Sequence, residues 1–126
     1  MTELASYFVP LPWSTPPLSQ NDRGGWQGRH DAIADTIHEA RWVIRAAKLP
    51  RIDRAEVTIH YWIPDNRRRD GDNLAPTLKA CLDALVQEHV LTDDSWRHVP
   101  YSGHAMHPPT PTPPHGGRLV LEVTPR

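Results

Sequence analysis

Apolar positions recur along this chain with two different periods, and each period predicts a different kind of element. Residues 6–11 form a short apolar run with aromatics, read as a first strand ending at Pro12. From about Asp31 the pattern turns helical, with Ile33, Ile37, Ala40, Ile44 and Ala47 at spacings of four, three, four and three. Asp31 and Asp35 in the first half of this segment, and Arg41, Arg45 and Lys48 in its last, suit the helix dipole, and Pro50 marks the stop. Residues 56–63 alternate, with Val57, Ile59, Tyr61 and Ile63 on one face, which predicts a strand. A second helical stripe, Leu78, Leu82 and Leu85 with Cys81 and Val86, gives out near His89. Asn73 or Asp72 is its expected N-cap, with Pro76 in the first turn, where a missing N–H does no harm. Residues 96–101 read as a third strand and 118–124 as a last one, with Leu119, Leu121 and Val123 inward. The order β-α-β-α-β-β predicts an α/β fold, one small domain over residues 1–126 with a mixed sheet and two packed helices.

Proline qualifies this picture. The chain has 126 residues and 14 prolines, about twice ordinary usage. Pro10, Pro12, Pro16 and Pro17 crowd one segment and Pro108, Pro109, Pro111, Pro113 and Pro114 another, so neither can be helix interior or central strand. Long loops are therefore expected near 12–29 and 104–117, the second stiffened in an extended polyproline form. Hydrophobic residues make up 38% and charged residues 23%, a globular balance rather than a disordered one. The single cysteine, Cys81, excludes an intramolecular disulfide and any all-cysteine metal site. The start of the chain has no basic segment followed by an apolar run, and no stretch approaches a membrane span, so a soluble, cytoplasmic protein without a membrane partner or organic cofactor is expected.

The chemistry concentrates between Arg67 and Asp94. Asp70 and Asp72 lie two apart, so an extended backbone points both carboxylates the same way, and Asp93 and Asp94 follow the intervening helix. Clustered carboxylates raise each other's pKa, because both cannot easily stay ionised. A hard divalent cation removes that conflict, and Mg²⁺ takes one or two carboxylates together with phosphate oxygens. Arg67, Arg68 and Arg69 precede the first pair and suit a phosphodiester substrate. Each piece also has a plainer use: Asp-Gly as a turn and cap, the arginines as a solvated face, Asp-Asp as a turn. Their joint occurrence is what points to a metal-dependent reaction on phosphate.

RRRDGDN, then LKACLDALV, then VLTDDS resembles the RusA family of Holliday-junction resolvases, Mg²⁺-dependent endonucleases common in phages and prophages. That family carries Arg-Arg-Asp-x-Asp-Asn, a lysine early in the next helix, Asp-Ala-Leu on it, and Asp-Asp at its exit. VPLPW and GGRLVLEV are similar to its first and last strands, so the resemblance spans almost the whole chain, with its specific part in the central third. It implies a homodimer that resolves four-way DNA junctions in recombination and repair, using Mg²⁺ with Mn²⁺ as a substitute. It implies Asp70, Asp72 and Asp94 as metal ligands, Asp93 as the residue shaping the turn, and Lys79 as the catalytic lysine. Arg67, Arg68 and Arg69, with Lys79, would bind the DNA, Lys79 and Arg69 stabilising charge on the phosphate. The family's lysine usually stands three residues after the asparagine, where this chain has Pro76. A three-residue insertion at the helix start accounts for this, because Lys79 keeps the four-residue spacing to Asp83. Lys79 also reads as a simple helical partner of Asp83.

Other signals have plainer readings. His104, His107 and His115 share one segment without a cysteine or acid to complete a zinc site. Trp13 and Trp26 could stack on bases or pack over the sheet edge, and Arg41, Arg45 and Lys48 could track a phosphate backbone or be solvated. Two alternatives to the nuclease stay open: a junction-binding module that has lost its metal geometry, and a metal-binding interaction protein using the Pro-rich loop. Net charge does not separate them by its total. The 14 Lys and Arg face 15 Asp and Glu, a charge of −1, but setting aside Asp70, Asp72 and Asp94 leaves 14 against 12.

Overall fold

Strict alternation over Ala55–Trp62 makes β2 the centre of the fold. Ala55, Val57, Ile59 and Tyr61 are buried while the residues between them are partly open. A computed structural model describes residues 5–18, 25–67, 69, 71–110 and 116–126, with the backbone alone at Trp26, Gly71 and Asp72. Its elements follow the order β1 (Tyr7–Pro10), α1 (Trp26–Ala47), β2 (Ala55–Trp62), a 3₁₀ turn (Gly71–Leu74), α2 (Ala75–Gln87), β3 (Tyr101–His107) and β4 (Arg118–Pro125). The fold is the expected α/β arrangement, a four-stranded mixed sheet with two helices. Strand order is β1-β4-β2-β3, with β1 antiparallel to β4, β4 antiparallel to β2, and β2 parallel to β3.

Register carries the alternation across the sheet. Val57 stands opposite Val123, Ile59 opposite Leu121 and Tyr61 opposite Leu119, and Val9 of β1 pairs with Leu121. These residues share one core with Ala40 and Ile44 of α1 and Leu78, Cys81, Leu82 and Leu85 of α2. Each fully buried Leu, Ile or Val contributes about 1.5–3 kcal/mol relative to exposure, so this one-sided burial fixes which face the helices cover. Burial among these apolar side chains pushes the Cys81 thiol up to about 12. Gly117, just before β4, has no substitute with a side chain, because a Cβ there would overlap the Ser14 carbonyl.

Four expectations need correction. The helix expected from about Asp31 begins at Trp26, so residues 26–29 are helix and not loop. Its opening turns are exposed and carry Gly28, which hides them from an apolar-period reading. Neither Asn73 nor Asp72 caps α2. Both lie in the 3₁₀ turn that feeds it, and the cap position is Leu74, 1% exposed and anchored in the core. The third strand is Tyr101–His107, and the segment from Trp96 to His98 is a turn. The β3 strand therefore takes in His104 and His107, which the sequence pattern assigned to the Pro-rich loop, while residues 111–115 lie outside those described.

The two helices are joined at one end by a charge clamp. Glu88, just past α2, accepts from Arg41 Nε at 2.8 Å, Arg45 Nε at 2.8 Å and Arg45 Nη2 at 2.9 Å. Its side chain is 9% exposed, and bonds first from Arg45 and then from Arg41 lower its pKa to about 2. These two arginines are therefore structural partners of Glu88 as well as candidates for phosphate contact.

A group whose pKa falls on folding stabilises the native state above its unfolded pKa, near 4.3 for glutamate, and that contribution is lost as pH falls through the folded value. Urea unfolding should therefore show wild-type stability declining between about pH 4.5 and pH 2. Glu88→Gln should be less stable at pH 7, by about 1–3 kcal/mol, with a shallower loss over that acid range. Parallel pH curves for the two proteins would show that the clamp contributes nothing to stability.

Candidate functional site

The first turns of α2 present Lys79 to solvent, because its neighbours Leu78, Ala80, Cys81 and Leu82 take the core face. One helical turn on, Asp83 Oδ1 accepts from Lys79 Nζ at 2.9 Å. Asp94, fifteen residues away, reaches the same ammonium, with Oδ2 at 2.5 Å from Nζ. The first contact is local helix geometry, whereas the second depends on how the chain returns after α2.

That return is fixed by bonds to the lead-in of β2. Ile52 N donates to Val90 O at 2.8 Å, Ala55 N to His98 O at 2.8 Å, and Arg51 Nη2 to Thr92 Oγ1 at 3.3 Å. His98 Nδ1 donates to Asp53 O at 2.8 Å, which fixes the ring's tautomer when neutral, and Val99 is buried at the far end. Within the turn, Asp93 Oδ1 accepts from Asp94 N at 2.7 Å. That bond, ahead of smaller contributions from Ser95, holds the Asp93 carboxyl below its usual range. Asp93 thus shapes the backbone while Asp94 meets the lysine.

Lys79 is held above the ordinary lysine pKa, first by the bond to Asp94 and then by that to Asp83. It is an ammonium at neutral pH, so it supplies positive charge and cannot act as a base. Asp94 is the one proposed metal ligand whose side chain is described, and it is partly exposed at 28%. Its carboxylate is a hard oxygen donor of the kind Mg²⁺ takes, and a metal there would share it with Lys79. Asp70 lies outside the described residues, and only the backbone of Asp72 is described, in the 3₁₀ turn leading into α2. Among the described residues no group of three or more His, Cys, Asp or Glu is placed to hold a metal ion.

The arginine loop is organised by Asp65. Its Oδ1 accepts from Arg67 N at 3.0 Å, from Arg67 Nε at 3.2 Å and from Arg69 Nη2 at 2.9 Å. These partners, Arg67 first, lower Asp65 to about 2. Arg69 Nη1 also donates to Asp65 O at 2.9 Å and Arg67 O at 3.0 Å, and the side chain is 19% exposed. Three of its five N–H groups are therefore engaged in the loop, and among the described residues Nε and one Nη2 hydrogen have no partner. Arg67 is 80% exposed. Arg68 lies outside the described residues. The role of Asp65 has a local signal in the sequence, its spacing of two and four to Arg67 and Arg69.

A groove of about 380 Å³ between α2 and β3 is lined by Lys79, Leu78, Leu82, Ser102 and His104. Strand alternation puts His104 on this side of the sheet and His107 on the other, so the two do not converge on one ion. His107 instead joins a chain on the sheet face that the helices leave uncovered. His60 Nε2 donates to Glu122 Oε1 at 2.7 Å, and its Nδ1 lies 2.8 Å from His107 Nε2. With both rings neutral, the first bond makes His60 Nδ1 an acceptor and His107 Nε2 the donor. His107 also stacks on Trp62 at 4.4 Å, and Arg118 lies over Trp62 at 4.3 Å. This cluster requires the register of β2, β3 and β4, which no spacing within a single segment encodes. Trp13 packs against the core, with Nε1 2.5 Å from Glu39 Oε2, so packing is its described use.

In comparisons with known proteins, no family model and no curated protein matches this chain. The likeness to the RusA pattern rests on the residues quoted above. Among the described residues, no helix is long and apolar enough to cross a membrane.

The Lys79 contacts make a direct prediction. An NMR titration of the Lys79 side chain should give a pKa above the ordinary value of 10.5, lowered by Asp94→Asn more than by Asp83→Asn. Equal effects of the two variants, or none, would contradict the contact across the turn.

Proposed function

We propose that this protein is a divalent-metal-dependent endonuclease that cuts branched DNA, of the RusA type, working as a homodimer on four-way junctions. The observation that supports it most is the meeting of Lys79 and Asp94. A lysine early on α2 and the second aspartate of the exit pair, fifteen residues apart, share one contact at the helix end that Asp72's segment leads into. The pattern of residues in the RusA family brings the same types to one site, and here a tertiary contact joins two of them.

On this reading Asp70, Asp72 and Asp94 hold Mg²⁺ or Mn²⁺, which when bound activates water and neutralises charge at the phosphate. Asp93 fixes the backbone at Asp94, and Asp83 steadies Lys79 from the next turn. Lys79, cationic at neutral pH, sets positive charge beside the phosphate where negative charge grows in the transition state. Arg69 holds the loop through Asp65 and, with two N–H groups unpartnered among the described residues, donates to a phosphate oxygen, while the exposed Arg67, with Arg68, binds backbone. The groove carrying Lys79 and His104 gives a strand a path away from the site. Two matched cuts across a junction need two sites related by a two-fold axis, which a C₂ dimer supplies.

The test is incubation with a synthetic four-way junction and Mg²⁺ or Mn²⁺. Symmetric nicks are expected, abolished by Asp72→Asn with binding retained, and junction affinity should fall steeply with added salt. Lys79→Ala should slow cleavage roughly 10²–10³-fold and weaken binding only a few-fold. Binding without cleavage in either metal would leave a junction-binding module, and no binding would remove both DNA readings.

A further inference from the structure

Trp96 is 71% exposed, the most exposed large apolar side chain among the described residues. A single exposed aromatic is ordinary in itself, but this one is displayed by a rigid turn. His98 N and Val99 N both donate to Ser95 O, at 3.0 and 2.8 Å, closing the backbone around Trp96 and Arg97. The turn is tied to the lead-in of β2 through His98, by its bonds to Asp53 O and Ala55 N. The Arg97 guanidinium lies 5.0 Å from the centroid of the Trp96 ring, a cation–π contact that orients both side chains. Trp96 also follows Asp94 by two residues, which places their Cα atoms within about 7 Å. An exposed indole on a fixed turn, with a guanidinium against it, therefore stands two residues along the chain from the aspartate that meets Lys79.

The other described tryptophans lack this combination. Trp62 lies between His107 and Arg118, and Trp13 is packed against the core. Trp42 is also exposed, with the Arg45 guanidinium 5.5 Å from its ring, but it lies on α1 away from Asp94, it donates to His38, and its arginine is bound to Glu88.

We propose that Trp96 stacks on an unpaired base next to the cleaved phosphodiester, so that the protein selects DNA with unstacked nucleotides at a branch over continuous duplex. The assignment rests on the nuclease reading above and adds to it the means of recognition. Within a duplex, both faces of each base are covered by neighbouring pairs and no indole can reach them. At a branch point a base loses a neighbour and exposes a face that an aromatic ring can cover without reading its identity. Arg97 sets a positive charge beside the ring, where the phosphate of the stacked nucleotide would pass. The phosphate contacts of Lys79 and the arginines supply affinity for any DNA, and Trp96 supplies the preference for an interrupted helix.

The test measures affinity for a four-way junction and for a linear duplex of matched sequence, without divalent metal so that nothing is cut. Wild type should prefer the junction. Trp96→Ala should weaken junction binding roughly ten- to a hundredfold and leave duplex binding within about twofold. Trp96→Phe, which keeps a π face, should recover most of the loss. Because the side chain is exposed, both variants should unfold at the wild-type temperature. An unchanged junction preference in Trp96→Ala, or a parallel loss on junction and duplex, overturns the assignment while the nuclease reading stands. A wild-type protein that binds neither DNA overturns the nuclease reading and this assignment with it.

Discussion

Burial of one face of β2 is the constraint from which the rest of the structure follows. Ala55, Val57, Ile59 and Tyr61 are each no more than 4% exposed. Their cross-strand partners on β4 and the apolar row of α2 complete the same core. The period of two along a strand leaves no freedom in this, since a slip of one residue would turn the whole apolar set to the other face. The same strand sets the candidate site. Ala55, where β2 begins, donates to His98, and Ile52 just before it donates to Val90, so the strand's lead-in holds both ends of the segment that carries Asp94.

Charge is arranged on that frame at two ranges. Lys79 with Asp83, and Arg67 and Arg69 with Asp65, are pairs within a turn or two of chain. Exposed pairs of this kind add little stability, and their effect is to orient side chains. The long-range contacts do more. Glu88 gathers Arg41 and Arg45 and ties α1 to the end of α2, while Lys79 gathers Asp94 across the turn. The near-neutral total charge conceals this division, in which Arg41, Arg45, Arg67, Arg69 and Lys79 each face a carboxylate. Near the candidate site, Arg67, Trp96 and the groove beside Lys79 are turned to solvent.

Much of the fold was legible in the sequence because periodicity reports directly on burial. The inward residues of β2 and β4, the α2 stripe and the element order all follow from it. The misreadings share a physical origin. The first turns of α1 are polar and carry a glycine, so they show no apolar period although the helix runs through them. Trp96 and Tyr101 bracket residues with the look of a strand, but the bonds to Ser95 O make the first of them a turn. Asn73 is a good cap by type, yet burial of Leu74 draws the chain into a 3₁₀ turn and moves the helix start past it. In each case a tertiary or hydrogen-bonding demand outweighed a local preference.

For the candidate site the division is sharper. The sequence by itself determined the residue types that matter, the local pairing of Lys79 with Asp83, and the resemblance that joins the arginine loop, the helix and the exit aspartates. Only the tertiary structure decided that Asp94 meets Lys79 while Asp93 turns to the backbone, because adjacent identical residues differ only in where the chain directs them. It also decided that His104 and His107 part to opposite faces and that His60, His107 and Glu122 join. Those groupings depend on strand register, a property of pairs of distant segments that no single stretch of sequence contains.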